Sequence, residues 1–574
     1  MSKIRILLLL AFLPAFVYFT ACEKTIVPDD NEIEGEDPTD YDWDTTQVVR
    51  VTLNTNSITV DPVVAAVSGS IITISEAGTY KISGTLTDGQ IIVNSKEEDA
   101  VKIILDGINI RCTSSAPLYI KKAKKVIIFL NEGTQNYLSD GTSYIVADGE
   151  PGAALFSNSY LAFSGTGSLS VTSNYLDGIS SDDELIINSG TISVTSMDDG
   201  IRGKDFLYIK NGNISVNSKG DGLKSDNSTD QSLGYIVVDT GNISITTTAG
   251  DGINAQTTLK IYDGVFNITT GGGAGTISSG GGGPGGGGSS GYSGTISEKA
   301  LKAAAGLDIL KGTFTVNSAD DAVHSNSRIT INDGTFSIAS GDDAFHSDGS
   351  ITVNGGTINV TKCYEAMEGP AITVNGGNIS LASVDDTFNA TKGVATESND
   401  GSILTINGGN IVANASSGDC IDSNGNATMT GGTLVAHGPS SAPEVGADVN
   451  GTFKVTGGLL VFTGPNSGNM IETISTSSTQ DCIKATFSTL LTTSTLFHLQ
   501  DAGGNNIVTY KPVRSVYYIV VCSPDLKTGS SYSIYTGGTT TGTYTNGIYS
   551  GGVYSGGTLK KTVTLSGIVT NVSI

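Results

Sequence analysis

The phrase Ile187-Asn188-Ser189-Gly190-Thr191-Ile192 recurs along the chain and decides the predicted fold. Each copy places an apolar residue and a polar residue before a small turn with Gly, and a short run rich in Thr, Ile and Val follows. Further copies occupy residues 209–214, 353–358, 374–379 and 406–411. Neighbouring copies follow one another about every 22 residues, with a few longer insertions. The chain is therefore predicted to consist of stacked structural repeats.

A repeat of this length indicates one turn of a parallel β-helix, because a propeller blade needs about 40 to 45 residues. Alternation within each run predicts that Ile, Val and Leu face inward. The strands of one repeat have no hydrogen-bonding partners within that repeat, and the strands of the next repeat supply them. Because parallel crossovers are overwhelmingly right-handed, we predict an all-β, right-handed parallel β-helix (a solenoid) over residues 48–475. The repeat fades afterwards, and residues 476–574 are predicted to form a small β-rich region.

The composition narrows the class of partner. The chain has 574 residues, of which 75 are Gly, 31 are basic and 56 are acidic, so its net charge is −25. Nucleic acid is disfavoured as a partner because its phosphates must be neutralised by Lys and Arg. An acidic chain suits a protein that collects cations. The absence of nucleic acid among its partners is thus an expectation from charge.

Cysteine usage indicates neither a disulfide framework nor a zinc site. The cysteines after residue 100 are odd in number and far apart, without a C-x-x-C pair. They are Cys112, Cys363, Cys420, Cys482 and Cys522. Free buried thiols are expected, and a single disulfide remains an alternative.

The N-terminal segment is predicted to be a targeting signal that is not part of the fold. Lys3 and Arg5 precede an apolar run over residues 6–19, as in a secretory signal. The residues before Cys22 resemble a bacterial lipobox, so residues 1–22 are predicted to be a lipoprotein signal peptide with Cys22 as the lipidated residue. An ordinary cleaved signal is the alternative.

Residues 23–47 are acidic and contain prolines, which predicts a disordered tether. Acidic residues soon after the lipid site resemble the export signal of Bacteroidetes surface lipoproteins. We therefore expect a monomeric outer-membrane lipoprotein on the cell surface that meets the membrane through its lipid anchor only. A Gly-rich insertion at 271–294 is predicted to be flexible, and it lacks the Lys-Ser/Thr ending of a phosphate loop.

Once per repeat, an acidic residue precedes a small and an apolar one, as in Asp199-Gly200-Ile201. Equivalent positions stack about 4.8 Å apart, so the carboxylates must be protonated, bonded to turn amides or bound to cations. In four repeats two acidic residues stand side by side at this position. Such pairs on adjacent repeats supply many oxygen atoms, and Ca²⁺ prefers six to eight oxygen ligands. The alternative is a purely structural ladder in which Asp accepts hydrogen bonds from the turns. Candidate Ca²⁺ ligands are Asp177, Asp198, Asp199, Asp221, Asp320, Asp321, Asp342, Asp343, Asp385 and Asp386.

A second column lies three residues after the acids and is predicted to face outward. Arg and Lys beside bound cations could recognise an anionic polymer through charge-assisted hydrogen bonds. The alternative is that the basic side chains of this column and the carboxylates of the acidic column neutralise each other and bind no ligand. Trp43 is the only Trp, so a row of aromatic faces for crystalline cellulose has little support. The candidate carbohydrate-binding residues from this column are Arg202, Lys224, Lys302, His324, His346 and Glu368.

Several phrases resemble the calcium-binding β-helix family of bacterial carbohydrate-binding proteins first recognised in a cellulose-degrading clostridium. They are residues 199–204, 299–303 and 364–369, together with 153–157 and 523–526. The family is similar in shape to family-nine pectate lyases, and the resemblance covers roughly residues 48–574. It implies a right-handed β-helix with bound Ca²⁺ and affinity for acidic plant polysaccharides such as polygalacturonate. It adds Lys204, Tyr364 and Glu365 to the candidate carbohydrate-binding residues.

Two further function classes stay open beside a surface-anchored, Ca²⁺-dependent binder of pectin-like polysaccharide. In a pectate lyase, Ca²⁺ would acidify the proton beside the uronate carboxylate and Arg202 or Lys224 would abstract it. The repeats single out no unique base for that reaction. The third class is a non-catalytic adhesive rod.

Overall fold

The computed structural model describes residues 36–144, 151–275, 292, 294–393, 398–545 and 547–574. Within these ranges the protein is all-β, and its two helices are short 3₁₀ turns, Pro38–Tyr41 and Gly468–Met470. No helix in the described ranges has the length and apolar character needed to cross a membrane. The predicted signal peptide, Cys22, residues 23–35 of the predicted tether and most of the Gly-rich insertion lie outside the described residues.

Each central repeat contributes three short strands, and each strand pairs in parallel with its counterparts in the neighbouring repeats. We call the three resulting parallel ladders A, B and C. Ladder A is a separate 16-stranded sheet, whereas B and C belong to one 33-stranded sheet. Long parallel sheets of an all-β protein are thus established, and closure into a right-handed solenoid stays a prediction.

Ladder A begins with an antiparallel hairpin and contains the strands that follow the acidic turns. Its strands are Ala66–Ser68, Ile71–Ile74, Gln90–Asn94, Leu118–Lys122, Ala153–Ser157, Asp177–Ser181, Ile201–Gly203, Leu223–Ser225, Ile253–Ala255, Leu301–Ala303, Val323–Ser325, Phe345–Ser347, Met367–Glu368, Phe388–Ala390, Asp422–Ser423 and Asp448–Val449.

Ladders B and C share the N-terminal strands Val48–Thr55, Ile58–Asp61, Gly78–Leu86 and Ala100–Arg111. The strands of ladder B are Lys125–Leu130, Tyr160–Gly165, Leu185–Ile187, Phe206–Ile209, Tyr235–Val238, Thr258–Ile261, Gly306–Ile309, Arg328–Ile331, Ser350–Val353, Ala371–Val374, Ile403–Ile406, Asn426–Met429 and Phe453–Val455. The strands of ladder C are Gln135–Ser139, Ser168–Thr172, Thr191–Ser196, Asn213–Ser218, Asn242–Thr247, Val265–Thr270, Thr313–Ser318, Thr335–Ser340, Thr357–Lys362, Asn378–Ser383, Asn410–Ala415, Thr433–His437 and Leu459–Gly464.

The core consists of aliphatic and aromatic side chains that repeat in register. The strand Thr191–Ser196 alternates exposed and buried residues, as the sequence pattern predicts. Phe266, Phe314 and Phe336 stack with ring centroids 4.7 Å apart, which is the spacing of neighbouring strands. The repeat period therefore aligns identical side chains as well as backbone.

The recurring turn glycine is required by geometry. Gly334 has φ +128°, a conformation that L side chains rarely adopt. A Cβ there would also lie only 3.0 Å from the carbonyl oxygen of Gly312 in the preceding repeat. A side chain here would therefore strain the backbone and crowd the turn of the preceding repeat.

The C-terminal region continues the 33-stranded sheet and adds a second layer. Val516–Cys522 pairs antiparallel with both Leu459–Gly464 and Cys482–Leu491, and Val569–Ser573 joins the latter in parallel. A separate antiparallel sheet contains, in spatial order, Thr543–Thr545, Ile548–Ser550, Asn506–Tyr510, Phe497–Asp501, Ser531–Thr540 and Tyr554–Thr564. The five cysteines from Cys112 onward are free and buried, as expected, and the Sγ atoms of Cys482 and Cys522 lie 2.8 Å apart.

Residues 36–44 differ from the extended tether expected there. Asp40 forms a buried ion pair with Lys125 at 2.6 Å, and Glu36 contacts Lys210 at 2.6 Å. Trp43 packs against Phe129 on the outer face of the sheet, with ring centroids 6.4 Å apart. The acids that suggested disorder thus find lysines on the folded domain, which composition by itself could not reveal.

Candidate functional site

The acidic residues form a stacked column where the chain turns from ladder C into ladder A. Asp199 donates its backbone N–H to Oδ1 of Asp177 at 3.2 Å, and Asp221 donates likewise to Asp199 at 2.8 Å. The backbone N–H of Asp251 donates to Asp221 at 2.7 Å. Each carboxylate therefore accepts a hydrogen bond from the turn of the next repeat. This arrangement was the structural alternative in the sequence analysis, and it leaves Oδ2 of each residue for a second partner.

Basic side chains of the second column supply several of those partners. Lys224 Nζ bridges Oδ2 of Asp199 at 2.9 Å and Oδ2 of Asp221 at 3.2 Å. Lys302 Nζ lies 2.9 Å from Oδ2 of Asp251. The two columns are in register, but these lysines turn toward the acids. Both lysines point away from the core, as predicted, because each is half-buried between two buried neighbours. Their contacts with the acids match the alternative interpretation, in which the two columns neutralise each other.

Lys299 is a column residue that the sequence reasoning missed. Its strand neighbours place it between Asp251 and Asp321, and its backbone N–H donates to Asp251 Oδ1 at 2.9 Å. Its ammonium lies 2.7 Å from Asp320 and 2.8 Å from Asp321. Aligning Lys299-Ala300-Leu301 with the Asp-Gly-Ile phrases would have identified this charge reversal within the column.

The two histidines of the second column also turn toward acids. His324 Nδ1 lies 2.9 Å from Asp321, and the His346 Nδ1 atom lies 2.8 Å from Asp343 and 3.0 Å from Glu368. Burial alone would lower the pKa of His346, but its hydrogen bonds to the two carboxylates outweigh burial and raise it to about 12. His346 therefore acts as a fixed cation at neutral pH.

Asp321 combines several of these partners. Burial would raise the pKa of this carboxyl, yet the hydrogen bond from His324 and the charges of Lys299 and His346 hold it below its usual range. For Asp342, which lies close by, the charge of Lys299 and a backbone hydrogen bond compensate only in part. Burial and the charges of Asp321 and Asp320 raise the pKa of Asp342 to about 7.

Arg202 is held by acids on both sides. Its guanidinium contacts Asp182 and Asp226 at 3.0 Å each, and Nη1 donates to Ser180 Oγ at 3.1 Å. Burial opposes the charge, but the hydrogen bonds to the two acids raise the pKa of Arg202 further. Burial likewise opposes the charge of Lys224, and the neighbouring column carboxylates raise its pKa above the usual range. In the absence of a bound ion, the acidic partners of Arg202 and Lys224 thus favour their charged forms, which disfavours either residue as the base of a lyase.

At the N-terminal end of the column neutralisation is partial, because Asp199 is paired with Lys224 while, among the described residues, its neighbours Asp177 and Asp198 have no such partner. Ligand atoms of Asp177, Asp198 and Asp199 lie within 4.8 Å of one another and could hold a metal ion. Burial and the charges of Asp199 and Asp198 raise the pKa of Asp177 to about 8. Within the described ranges, neither Asp177 nor Asp198 forms an ion pair. An external cation at this end would meet two carboxylates without an ion pair, and it would have to share or displace the contact of Asp199 with Lys224.

Three further groups of side chains satisfy the same distance criterion. They are Asp320, Asp321 and Asp342; Asp321, His324 and His346; and Asp343, His346 and Glu368. Each of these groups already contains or contacts an internal cation, Lys299 or His346. A metal ion would have to displace that charge.

The C-terminal part of the column is rich in acids. Burial and the charges of Asp422 and Asp385 raise the pKa of Asp386 well above its usual range. The side chain of Asp386 also accepts the backbone N–H of Asp419 at 2.6 Å. Asp422 and Asp419, although present in the sequence columns, were not among the predicted ligands.

Two of the three residues added by the family resemblance, Tyr364 and Glu365, are buried. Tyr364 is only 6% exposed, and its hydroxyl donates to Asp385. Glu365 is buried and accepts a hydrogen bond from Asn389 at 2.8 Å. Lys204 is half-buried just after the strand Ile201–Gly203. Tyr364 therefore positions an acid of the column and has no free ring face for a sugar.

The geometry defines an all-β protein of stacked parallel strands with a carboxylate column along one edge. Residues 68–344, just under half of the chain, match a family model described as carbohydrate-binding domain-containing protein. Over this range the chain is thus similar in sequence to proteins described as containing a carbohydrate-binding domain.

Two known proteins are similar to parts of the chain. A carbohydrate-binding domain-containing protein of Acetivibrio thermocellus is 39% identical over 132 residues, which are 22% of this chain and 46% of that protein. The chain thus spans about half the length of this relative. A solved structure described as a polysaccharide lyase-like protein from C. thermocellum, in a gadolinium derivative, is 32% identical. The match covers 39% of this chain and 92% of that one, with a TM-score of 0.38.

Proposed function

We propose that the protein is a Ca²⁺-dependent carbohydrate-binding protein of the cell surface whose ligands are acidic, polygalacturonate-like polysaccharides. The observation that carries the proposal is the cluster of Asp177, Asp198 and Asp199 at the N-terminal end of the column. Three carboxylates held this close favour a divalent cation, and hard oxygen ligands are those that Ca²⁺ prefers. Backbone carbonyls and water would complete its coordination.

Calcium also explains how so acidic a protein could hold an acidic polymer. With a net charge of −25, the protein repels a polyuronate chain in the absence of cations. A Ca²⁺ ion on the column reverses the local charge and leaves coordination positions for uronate carboxylates. Binding should therefore depend on calcium and weaken at high ionic strength.

The column favours binding over lyase chemistry. A lyase needs a base beside the metal that is deprotonated at the working pH. Arg202 and Lys224 are the basic residues nearest the N-terminal end of the column, and their acidic partners keep both of them protonated. We therefore propose a module that retains the polymer without cleaving it.

Affinity electrophoresis on polygalacturonate tests this proposal, using the protein without residues 1–22, in Ca²⁺ and in chelator. We expect retardation in Ca²⁺ that chelator abolishes, and no rise in the ultraviolet absorbance of unsaturated uronide. The double variant Asp177→Asn/Asp198→Asn should lose the retardation. Asp263→Asn, a half-exposed surface carboxylate, is the matched control and should keep it. Retardation that persists in chelator, or its absence in both conditions, contradicts the proposal, and a rising absorbance identifies a lyase.

The proposal places the protein on the outer membrane through a lipid on Cys22. Metabolic labelling with a radioactive fatty acid should mark the wild-type protein and leave Cys22→Ser unlabelled. Protease added to whole cells should degrade the labelled protein if it faces the exterior. Labelling of the serine variant would exclude Cys22 as the lipid site.

A further inference from the structure

The C-terminal antiparallel sheet carries a row of aromatic residues that no function above uses. Each member lies directly opposite the next across neighbouring strands, so all of them share one face of the sheet. The row contains, from edge to edge, Tyr544, Tyr549, Thr509, His498, Tyr535 and Leu559. We call this set the tyrosine row.

The opposite face of the sheet is the one that packs into the protein. Phe497, Leu499 and Ile534 point to that side and are fully buried. The strand positions next to them, His498 and Tyr535, therefore belong to the outer face. His498 and Thr509 are nonetheless buried, at 2% and 3% exposure, so the accessible part of the row consists of its tyrosines and Leu559.

The ends of the tyrosine row are exposed. Tyr544 is 46% exposed and Leu559 51% exposed, and Val553 nearby is 70% exposed. The rings of Tyr544 and Tyr549 lie 5.0 Å apart and are tilted by 56°, so they pack against each other as two adjoining aromatic faces. Large apolar side chains gathered on one face of a polar protein typically mark a binding surface.

The middle of the tyrosine row lies beneath Tyr554, which covers the buried His498. The ring of Tyr554 stacks on His498 with centroids 3.8 Å apart and an interplanar angle of 12°. Its hydroxyl donates to the carbonyl oxygen of Gly537 at 2.7 Å. His498 is held by Thr509 at 2.8 Å and by Gln500 at 3.0 Å, and burial lowers its pKa, so the ring is neutral. Little conformational entropy would be lost on binding to such a surface.

The chemistry of this face selects an uncharged partner. No member of the tyrosine row is acidic or basic at neutral pH, whereas the acidic column is dominated by carboxylates. Hydroxyl groups border the row, as at Ser533 and Thr562, whose oxygens lie 3.2 Å apart. Tyrosine rings with adjacent hydroxyls match the apolar faces and hydroxyl rims of neutral sugar rings.

We propose that the tyrosine row is a second carbohydrate-binding surface, for uncharged polysaccharide, that works without calcium. It goes beyond the proposed function because it lies in residues 497–564, outside the acidic column and outside the range that matches the carbohydrate-binding family model. The protein would then hold a neutral polymer on its C-terminal sheet while the acidic column engages polyuronate.

Affinity electrophoresis in chelator tests the tyrosine row with hydroxyethylcellulose, xylan and galactomannan as probes. We expect at least one of these uncharged polymers to retard the protein expressed without residues 1–22. The variant Tyr544→Ala/Tyr549→Ala should bind that polymer about tenfold more weakly, because it loses two aromatic faces. Tyr544→Trp, which enlarges the face, should bind at least as tightly as wild type.

Tyr137→Ala is the matched control, since Tyr137 is a 43% exposed tyrosine on ladder C, far along the chain from the C-terminal sheet. It should retain full binding, and all variants should keep the wild-type circular dichroism. Retardation by none of the three polymers, or equal retardation of the wild type and the double alanine variant, overturns the proposal. Calcium-dependent retardation on polygalacturonate should be unchanged in these variants, so failure here is distinct from failure of the acidic column.

Discussion

Lys299 takes the place of an acid in the acidic column, and its ammonium lies 2.8 Å from the carboxylate of Asp321. The same ammonium lies 2.7 Å from Asp320. The protein thus supplies one of its own cations where the stacked carboxylates are doubled. The column is therefore in part neutralised internally, and the proposed Ca²⁺ concerns chiefly the carboxylates that lack such a partner.

Removing this internal cation should destabilise the protein in chelator. We expect Lys299→Met to lower the free energy of unfolding by about 3 kcal/mol, because Asp320 and Asp321 lose their buried partner. The loss should be smaller in Ca²⁺, since a divalent ion can occupy the vacated position. Urea unfolding followed by circular dichroism measures both values. Lys311→Met, which affects a mostly exposed pair with Asp263 at 3.7 Å, should be neutral. An equal loss with and without Ca²⁺ would contradict cation replacement.

The pH dependence of stability in chelator should report on Asp177. Its pKa is raised to about 8 in the folded state from an ordinary value of 3.8, so the folded protein binds this proton more tightly than the unfolded chain does. The resulting stabilisation is fully present below pH 3.8 and is lost as the pH rises toward 8. We therefore expect the Tm of the wild type in chelator to fall relative to that of Asp177→Asn as the pH rises from 5 to 8.

Calcium should remove this dependence, because the bound ion stabilises the ionised carboxylate. Thermal melting in parallel Ca²⁺ and chelator series gives the comparison. A Tm difference independent of pH in chelator would show that Asp177 titrates normally.

The histidines should differ sharply in protonation. The pKa of His346 is raised to about 12, because its bonds to Asp343 and Glu368 outweigh burial. Burial and the charge of Arg514 lower the pKa of His437 to about 3. At pH 7, ¹⁵N spectra of the four imidazoles should show His346 doubly protonated and His437 neutral. Gln variants assign the signals. A neutral His346 at this pH would refute the assignment of a fixed cation in the column.

The stabilisation supplied by His346 should also depend on pH in a defined direction. Its folded pKa lies above the ordinary value of 6.5, so this contribution is complete below pH 6.5 and decreases as the pH rises toward 12. The difference in unfolding free energy between wild type and His346→Gln should accordingly shrink from pH 6 to pH 9. Guanidinium titrations at the two pH values provide the measurement.

Trp43 offers a direct view of the N-terminal segment, because it is the only tryptophan. Asp40→Asn removes the charge that pairs with buried Lys125, and such an uncompensated charge costs about 3 kcal/mol or more. We expect residues 36–44 to detach, which moves Trp43 from Phe129 into water and shifts its emission to longer wavelength. Asp44→Asn, at an exposed position, should leave the emission unchanged. An unshifted spectrum in the Asp40 variant would mean that the ion pair does not hold this segment.

The stacked phenylalanines should dominate the stability of the central repeats. Phe314 lies between Phe266 and Phe336, and it is fully buried. Phe314→Ala should lower the free energy of unfolding by about 3–5 kcal/mol through lost transfer energy and a cavity. Val265→Ala, on the exposed side of a neighbouring strand, should change it by less than about 0.5 kcal/mol. Chemical denaturation compares the two, and similar effects for both would contradict the stacked core.

The repeat itself was predictable because its signals are local. The turn glycine needs a conformation open to few other residues, and the alternation of strands such as Thr191–Ser196 follows from the pleat. A constant period then implies parallel pairing of each strand with its counterpart, which the structure contains. The register of both columns, for example His324 opposite His346, follows from the same period.

The sequence by itself thus determined the all-β class, the repeating parallel pairing and the stacking of acids in one column. The tertiary structure decided which acidic and basic side chains form ion pairs. Lys224, Lys299 and His346 contact the carboxylates that lie nearest to them, and these belong in part to neighbouring repeats. It also placed residues 36–44 against the folded domain, because their acidic side chains contact lysines on distant strands. The tyrosine row likewise forms only in the folded sheet, because its strands are not all consecutive in the chain. Such contacts depend on side-chain geometry between segments far apart in sequence, and no local pattern encodes them.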